Sequence, residues 1–158
     1  MGNISNRALI SRLFRSAEEQ LEEAAYDADN WNQWYQVVLD LTLPEKMVFL
    51  IVKLNQTVTN GRLTEFYETS YGVFAPEIIH VLTEIKSVET ARIVTDSLFI
   101  VNPTGLLDDD YKAFIFKILL SDQQKAHLYA LDIRYDQLQD HENLEDLLGD
   151  YLQELVKS

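Results

Sequence analysis

Carboxylates spaced four residues apart are the most prominent chemical pattern in this chain, and they form three rows. The rows comprise Glu142, Asp146, Asp150 and Glu154 near the C-terminus, Asp132 and Asp136 upstream of them, and Glu18 and Glu22 near the N-terminus. On an α-helix this spacing stacks carboxylates on one face at intervals of about 6 Å. Each like-charged pair weakens an isolated helix by a few tenths of a kcal/mol. A face that keeps such repulsion is suited to binding a cationic partner.

The carboxylate rows belong to a chain that is strongly acidic as a whole. The chain has 26 acidic and 13 basic residues among 158, a formal net charge of −13. Such a charge creates a strong negative field, and it also keeps a protein soluble. The alternative interpretation is therefore a solvated face that binds nothing. Residues 1–16 differ, because they carry Arg7, Arg12 and Arg15 without an acid, and this basic segment could dock on its own domain or on a second copy.

Residue types that support catalysis or metal binding are sparse. The three histidines, His80, His127 and His141, are far apart in sequence, and no Gly-x-Ser-x-Gly turn presents a nucleophile. The acidic run at 108–110 lacks the spacing of a calcium loop. No Gly-rich phosphate loop occurs, and basic residues are too few to neutralise nucleic-acid phosphates. We therefore expect no enzyme activity, no metal, no cofactor and no direct nucleic-acid binding.

Composition also indicates where the protein is located and which sites it lacks. The chain has no cysteine, which removes disulfides and thiolate zinc sites. No apolar run approaches the roughly 20 residues needed to span a bilayer, and the N-terminus lacks the apolar core of a signal peptide. These features predict a cytoplasmic protein without a membrane partner.

Helices must position the carboxylate rows, because apolar residues recur at helical spacing almost throughout. Only five Gly and three Pro interrupt the pattern. We predict an all-α fold, a single compact domain over residues 1–158 with about eight or nine helices. An amphipathic helix over residues 4–25 opens the chain. Helix starts are predicted at Pro44, Pro76, Ser87, residues 108–110 and a capping box at 121–124, and a turn at 60–61.

Residues 54–72 resemble the signature of a bacterial all-α family named for a DNA-mimic protein. The signature reads NGG-F-x-Q-F/Y-F-x-N-x-x-G, and the matching residues here are Asn60, Gly61, Phe66, Tyr67 and Gly72. Arg62 replaces the second glycine and Thr69 the asparagine. With the following Ala-Pro-Glu of 75–77 and parts of the C-terminal region, the similarity spans roughly residues 40–157. We interpret the signature as structural: Gly61 would accept a positive φ, and Asn60 would bond local backbone.

The resemblance implies a homodimeric, non-enzymatic cytoplasmic protein. In the mimic that names the family, surface carboxylates stand in for DNA phosphates in the basic groove of a DNA-binding protein. Our first hypothesis is accordingly an acidic interaction module that binds a basic, possibly DNA-binding, protein through its carboxylate rows. The alternatives are an immunity-type protein that neutralises a basic toxin, and a structural dimer with no electrostatic partner.

Overall fold

The computed structural model describes residues 4–22, 31–138 and 140–157. Within these ranges the secondary structure is helical, with eight α-helices, one short 3-10 helix and no β-strand. The α-helices are α1 Asn6–Glu22, α2 Trp31–Asp40, α3 Leu43–Glu68, α4 Ala75–Glu84, α5 Val88–Val101, α6 Asp108–Phe116, α7 Asp122–Leu138 and α8 Leu144–Lys157. The 3-10 helix is Tyr71–Phe74. The all-α prediction is confirmed.

Local signals set most helix starts. Pro44 and Pro76 lie in the first turns of α3 and α4, where a missing N–H costs nothing. The predicted capping box before α7 is confirmed: the Ser121 N–H donates to Gln124 Oε1 at 2.9 Å, and the Gln124 N–H donates to Ser121 Oγ at 3.1 Å. The predicted N-terminal helix appears as α1, and its expected last residues, 23–25, lie outside the described part of the chain.

One compact unit consists of residues 1–52 together with 144–158. Within it, α1 packs against both α8 and α2. Its core is formed by apolar side chains of these helices and of the start of α3, including Leu9, Ala17, Trp34, Val38, Met47, Val48, Leu50, Leu148 and Leu152. The apolar stripes of α1 and α8 are therefore what hold the N- and C-terminal helices together.

The second compact unit consists of residues 53–143. In this unit α5 packs between α4 and α7, and α6 packs on the 3-10 helix. The core includes Leu54, Val58, Leu63, Phe66, Tyr67, Phe74, Ile78, Leu82, Val94, Leu128 and Tyr135. The single domain over residues 1–158 stays a prediction.

Helix α3 is kinked at Arg62, whose backbone has φ 72° and ψ 172°. The turn expected at 60–61 thus falls one residue later and interrupts one long helix. The prediction that Gly61 takes the positive φ is wrong, because the positive φ falls on Arg62. This φ/ψ region is essentially reserved for glycine. Arg62 stands where the family signature has its second glycine, so the chain keeps the glycine-type backbone with a bulky side chain.

Candidate functional site

Three members of the C-terminal row lie on the solvent side of α8. Asp146, Asp150 and Glu154 are exposed, while the opposite side of α8 buries Leu144, Leu148, Gly149 and Leu152. The apolar stripe fixes the rotation of the helix, and that rotation places the acids outward. At 1.5 Å per residue, neighbouring carboxylates follow each other at about 6 Å along the helix. We refer to these three residues as the α8 row.

The first turn of α1 contacts the α8 row directly. The Asn6 side-chain amide donates to Asp150 Oδ1 at 3.0 Å, and Arg7 Nε lies 3.3 Å from Glu145 Oε1. A Cβ built on Gly149 would lie 2.2 Å from Asn6 Cγ, so a larger residue at 149 would prevent this approach. Basic Arg7 of the N-terminal segment therefore docks on α8 of its own chain.

Glu18 and Glu22 are exposed on α1 but do not extend the α8 row. The Ile4 carbonyl contacts Gln153, Asn6 contacts Asp150, and Arg7 contacts Glu145. As the residue number increases along α1, the number of the contacted residue on α8 decreases, so the two helices are antiparallel. Glu18 lies twelve residues beyond Asn6, or about 18 Å along α1 at 1.5 Å per residue. That distance takes the α1 acids past the N-terminal end of α8.

Glu142 has a structural role that differs from its predicted place in the row. It precedes α8, which begins at Leu144. Its carboxylate accepts hydrogen bonds from the Glu89 and Thr90 N–H groups at 2.7 and 2.9 Å, and from the Thr90 and Ser87 hydroxyls at 2.7 and 2.8 Å. Glu142 thus caps α5 from a distant part of the chain. The helical placement predicted for Glu142 is corrected accordingly.

The carboxylate of Glu142 is held in its ionised form by these contacts. Burial raises its pKa, but the hydrogen bonds from Thr90, Glu89 and Ser87 outweigh burial, so the pKa lies below its ordinary value. Ser87 occupies the cap position of α5 as predicted, yet its own side chain donates to Glu142 and makes no cap bond.

Asp132 and Asp136 hold the kink of α3 and present no row to solvent. Asp132 is only 2% exposed, and its Oδ1 accepts the Leu63 N–H at 2.9 Å. Burial raises the pKa of Asp132, and the Leu63 bond and the Arg62 charge offset this only in part. Asp136 Oδ2 lies 2.7 Å from Arg62 Nη1. The interpretation of these two acids as one exposed face is therefore corrected.

Three of the five signature residues, Phe66, Tyr67 and Gly72, lie in the interior of the second unit. Phe66 and Tyr67 are fully buried, and the Tyr67 hydroxyl lies 2.6 Å from Ser97 Oγ. Burial raises the pKa of Tyr67 above its ordinary range. A Cβ on Gly72 would lie 2.3 Å from Tyr67 Cδ1, and the Gly72 carbonyl accepts the Tyr111 hydroxyl at 2.6 Å. Asn60 is exposed on α3.

Glu45 is a buried carboxylate that belongs to none of the predicted rows. It is 7% exposed and forms a capping box with Thr42, whose N–H donates to Glu45 Oε1 at 3.2 Å. Ser16 and Gln20 of α1 also donate to its Oε2. Burial raises the pKa of Glu45, but these hydrogen bonds outweigh burial and the pKa is lowered. The pattern Thr-x-x-Glu before α3 could have identified it.

An open cavity of about 420 Å³ lies in the second unit. Its lining comprises Glu89, Ile93, Arg134, Gln137, Leu138 and His141. Arg92 Nη1 lies 2.9 Å from Glu89 Oε1, and Arg134 Nη1 lies 3.2 Å from Asp96 Oδ2. The charged lining groups are therefore balanced by neighbours of opposite sign.

Across residues 4–22, 31–138 and 140–157, no group of three or more His, Asp or Glu side chains is arranged to hold a metal ion. In the same ranges, no helix combines the length and apolar character needed to cross a membrane.

Comparison with known proteins identifies the family. No curated protein and no solved structure gave a significant match. A family model described as DMP19-like protein matches residues 39–155, which nearly coincides with the range of 40–157 predicted from the sequence and confirms the family resemblance. The match covers α3 to most of α8 and includes the kink, the buried signature residues and the α8 row. The chain belongs to the DMP19-like protein family.

Proposed function

We propose that this chain is a non-enzymatic cytoplasmic interaction module that binds a basic, DNA-binding protein through the α8 row. The observation that carries the proposal is the placement of Asp146, Asp150 and Glu154 on the solvent side of one helix. Among the other predicted rows, Asp132 is buried and Glu142 caps α5, while Glu18 and Glu22 do not extend the α8 row. The α8 row is therefore the longest exposed part of the predicted rows in the described residues. Family membership supports the choice of a DNA-binding partner by analogy with the mimic that names the family.

Electrostatics determines what the α8 row would contribute. Exposed charges on an interface accelerate encounter and select the partner more than they add affinity. An exposed ion pair contributes roughly 0.2–1 kcal/mol, so three pairs would change affinity by about threefold to a hundredfold. We therefore expect α8 to tune binding by a measurable amount and to leave some binding from the rest of the interface.

The test compares two triple variants of the full chain. The first neutralises the α8 row by Asp146→Asn, Asp150→Asn and Glu154→Gln. The matched control is Asp108→Asn, Asp109→Asn and Asp110→Asn in the first turn of α6, where three exposed acids are also present. Both variants change the net charge from −13 to −10, since each removes three negative charges.

Each protein is used to capture partners from a bacterial lysate at low salt, and the affinity of the captured protein is then measured by calorimetry. The proposal predicts capture of a basic DNA-binding protein, weakened threefold or more by the α8 variant and little changed by the α6 variant. Equal weakening by both variants would assign the effect to total charge. Unchanged capture by both would contradict the proposal.

A further inference from the structure

The cavity of about 420 Å³ in the second unit, which we call the seam cavity, lies along the contact between α5 and α7. These helices run antiparallel there, since Arg134 pairs with Asp96 whereas Glu142, further along the chain, accepts the Glu89 N–H. Arg134 therefore lies at one end of the cavity, and Glu89 and His141 lie at the other. Positions 89 and 96 are seven residues apart, so the two ends are separated by about 10 Å along α5.

The floor of the seam cavity is aliphatic and its rim is polar. Ile93 is only 1% exposed and Leu138 is half-buried. The rim consists of exposed side chains, those of Glu89, Arg134, Gln137 and His141. Binding sites for small ligands typically have volumes of roughly 300–1,000 Å³ and combine an apolar surface with a few polar groups. The seam cavity has both properties.

The rim groups keep hydrogen-bonding capacity for a ligand. Arg134 uses one of its five N–H groups in its ion pair. Both carboxylate oxygens of Glu89 contact Arg92 Nη1, at 2.9 and 3.0 Å, but each oxygen has a second lone pair. The side chains of Gln137 and His141 form no hydrogen bond with the described part of the chain. A ligand in the cavity would therefore find donors and acceptors available.

Opposite charges at the two ends determine the kind of ligand. The acidic end holds the carboxylate of Glu89, with that of Glu142 behind it on the α5 N–H groups. The basic end holds Arg134. An anion would be repelled by Glu89 and by the net charge of −13, and a cation would be repelled by Arg134. A zwitterion whose charges are about 10 Å apart would be attracted at both ends.

The length of the cavity matches a peptide of three residues, because an extended chain spans about 3.3–3.6 Å per residue. Its C-terminal carboxylate would meet Arg134, and a guanidinium binds carboxylates through two parallel N–H groups. Its ammonium would meet Glu89 at the other end. Gln137 offers an amide donor and acceptor to the peptide backbone, and Ile93 and Leu138 would cover an apolar central side chain.

We propose that the seam cavity binds a zwitterionic peptide of three residues, with its ammonium on Glu89 and its carboxylate on Arg134. A free amino acid is too short to reach both ends, and an internal segment of a longer protein carries neither terminal charge. This site is separate from the α8 row, and the inference does not depend on the proposed function.

The test titrates the peptide Ala-Leu-Ala into the isotopically labelled full-length chain and follows the backbone amide resonances. Binding should shift the amides of residues 89–93 and 134–141 and leave those of α1 unchanged. Two capped probes remove one charge each: the N-acetylated peptide lacks the ammonium, and the C-terminally amidated peptide lacks the carboxylate. Either cap should weaken binding roughly two- to fivefold, because one exposed ion pair is then lost.

Two variants assign the ends of the cavity separately. In Glu89→Gln, acetylation of the probe should cause no further loss while amidation still weakens binding, and Arg134→Gln should show the reverse. The matched control neutralises an exposed ion pair of the first unit by Arg7→Gln and Glu145→Gln, and it should bind all three probes like the native chain. Unshifted lining residues at millimolar peptide would overturn the proposal, and so would equal affinities of the free and capped probes.

Discussion

At the scale of single residues, Arg62 combines a costly backbone conformation with two compensating contacts. Its φ of 72° and ψ of 172° are rarely adopted by a residue with a side chain. Asp136 binds its guanidinium, and Asp132 accepts the N–H of the next residue, Leu63. Contacts of this kind are what allow a strained conformation to persist in a folded protein.

The strain at Arg62 predicts the outcome of two substitutions. Arg62→Ala and Arg62→Gly both remove the ion pair with Asp136, but only glycine relieves the backbone. Part of the stability gained by relieving this strain is lost, because glycine makes the unfolded chain more flexible. We expect the melting temperature of Arg62→Gly to exceed that of Arg62→Ala by roughly 2–6 °C. Equal melting temperatures in calorimetry would mean that the kink stores no strain.

At the scale of elements, the docking of α1 on α8 determines the surroundings of the α8 row. Asn6 binds Asp150, the Ile4 carbonyl accepts from Gln153, and Gly149 leaves room for Asn6. The row is therefore presented next to the first turn of α1, and displacement of that turn would change the charges around Asp150.

Gly149→Ala tests this docking. In an unhindered helix, replacing glycine by alanine stabilises by about 1 kcal/mol. Here the new Cβ would lie 2.3 Å from Asn6 Cβ, an atom fixed to the backbone of α1, so α1 must shift. We expect a net loss of about 1–3 kcal/mol in the free energy of unfolding. Hydrogen exchange should become faster in α1 and stay unchanged in α5 and α7, and a stabilised variant with native exchange in α1 would contradict the docking.

The helices were predictable from the sequence, but the roles of the carboxylates were not. Helix type depends on local spacing and on caps such as Ser121 with Gln124, which lie within a few residues of each other. Asp132 and Glu142 have the same spacing as the exposed acids, yet their partners are Leu63 and residues 87–90, more than fifty positions away. No local pattern contains such a pairing. The signature identified the region of the kink, whereas the residue with positive φ could be identified only from the structure.

At the scale of the whole molecule, stability depends on pH through carboxylates of opposite behaviour. The pKa values of Glu45 and Glu142 are lowered in the folded state, so the unfolded chain binds these protons more tightly and acid favours unfolding. The stability that they contribute is present above their ordinary value of 4.5 and is lost as pH falls below it. Asp132 acts in the opposite sense. Its pKa is raised from 3.8 in the folded state, so the stability that it contributes is lost as pH rises.

Glu142→Gln isolates one part of this pH dependence. At pH 7 we expect it to cost about 1–2 kcal/mol, because the amide cannot accept all the hydrogen bonds that cap α5. As pH falls below 4.5 the native Glu142 becomes protonated as well, so the melting temperatures of variant and native chain should converge. Glu145→Gln, on the exposed partner of Arg7, serves as the control and should change stability little at any pH. A constant difference between Glu142→Gln and native across the titration would rule out the capping role.

The salt dependence of partner affinity is the most direct test of whether the α8 row binds a basic protein. Affinities for the captured partner are measured by calorimetry from low to physiological ionic strength, where the Debye length falls to about 8 Å. The native chain and the α6 triple variant should lose affinity steeply with salt. The α8 triple variant should bind more weakly at low salt and with a shallower salt dependence, because three of the screened charges are gone. The same slope for all three proteins would contradict the claim.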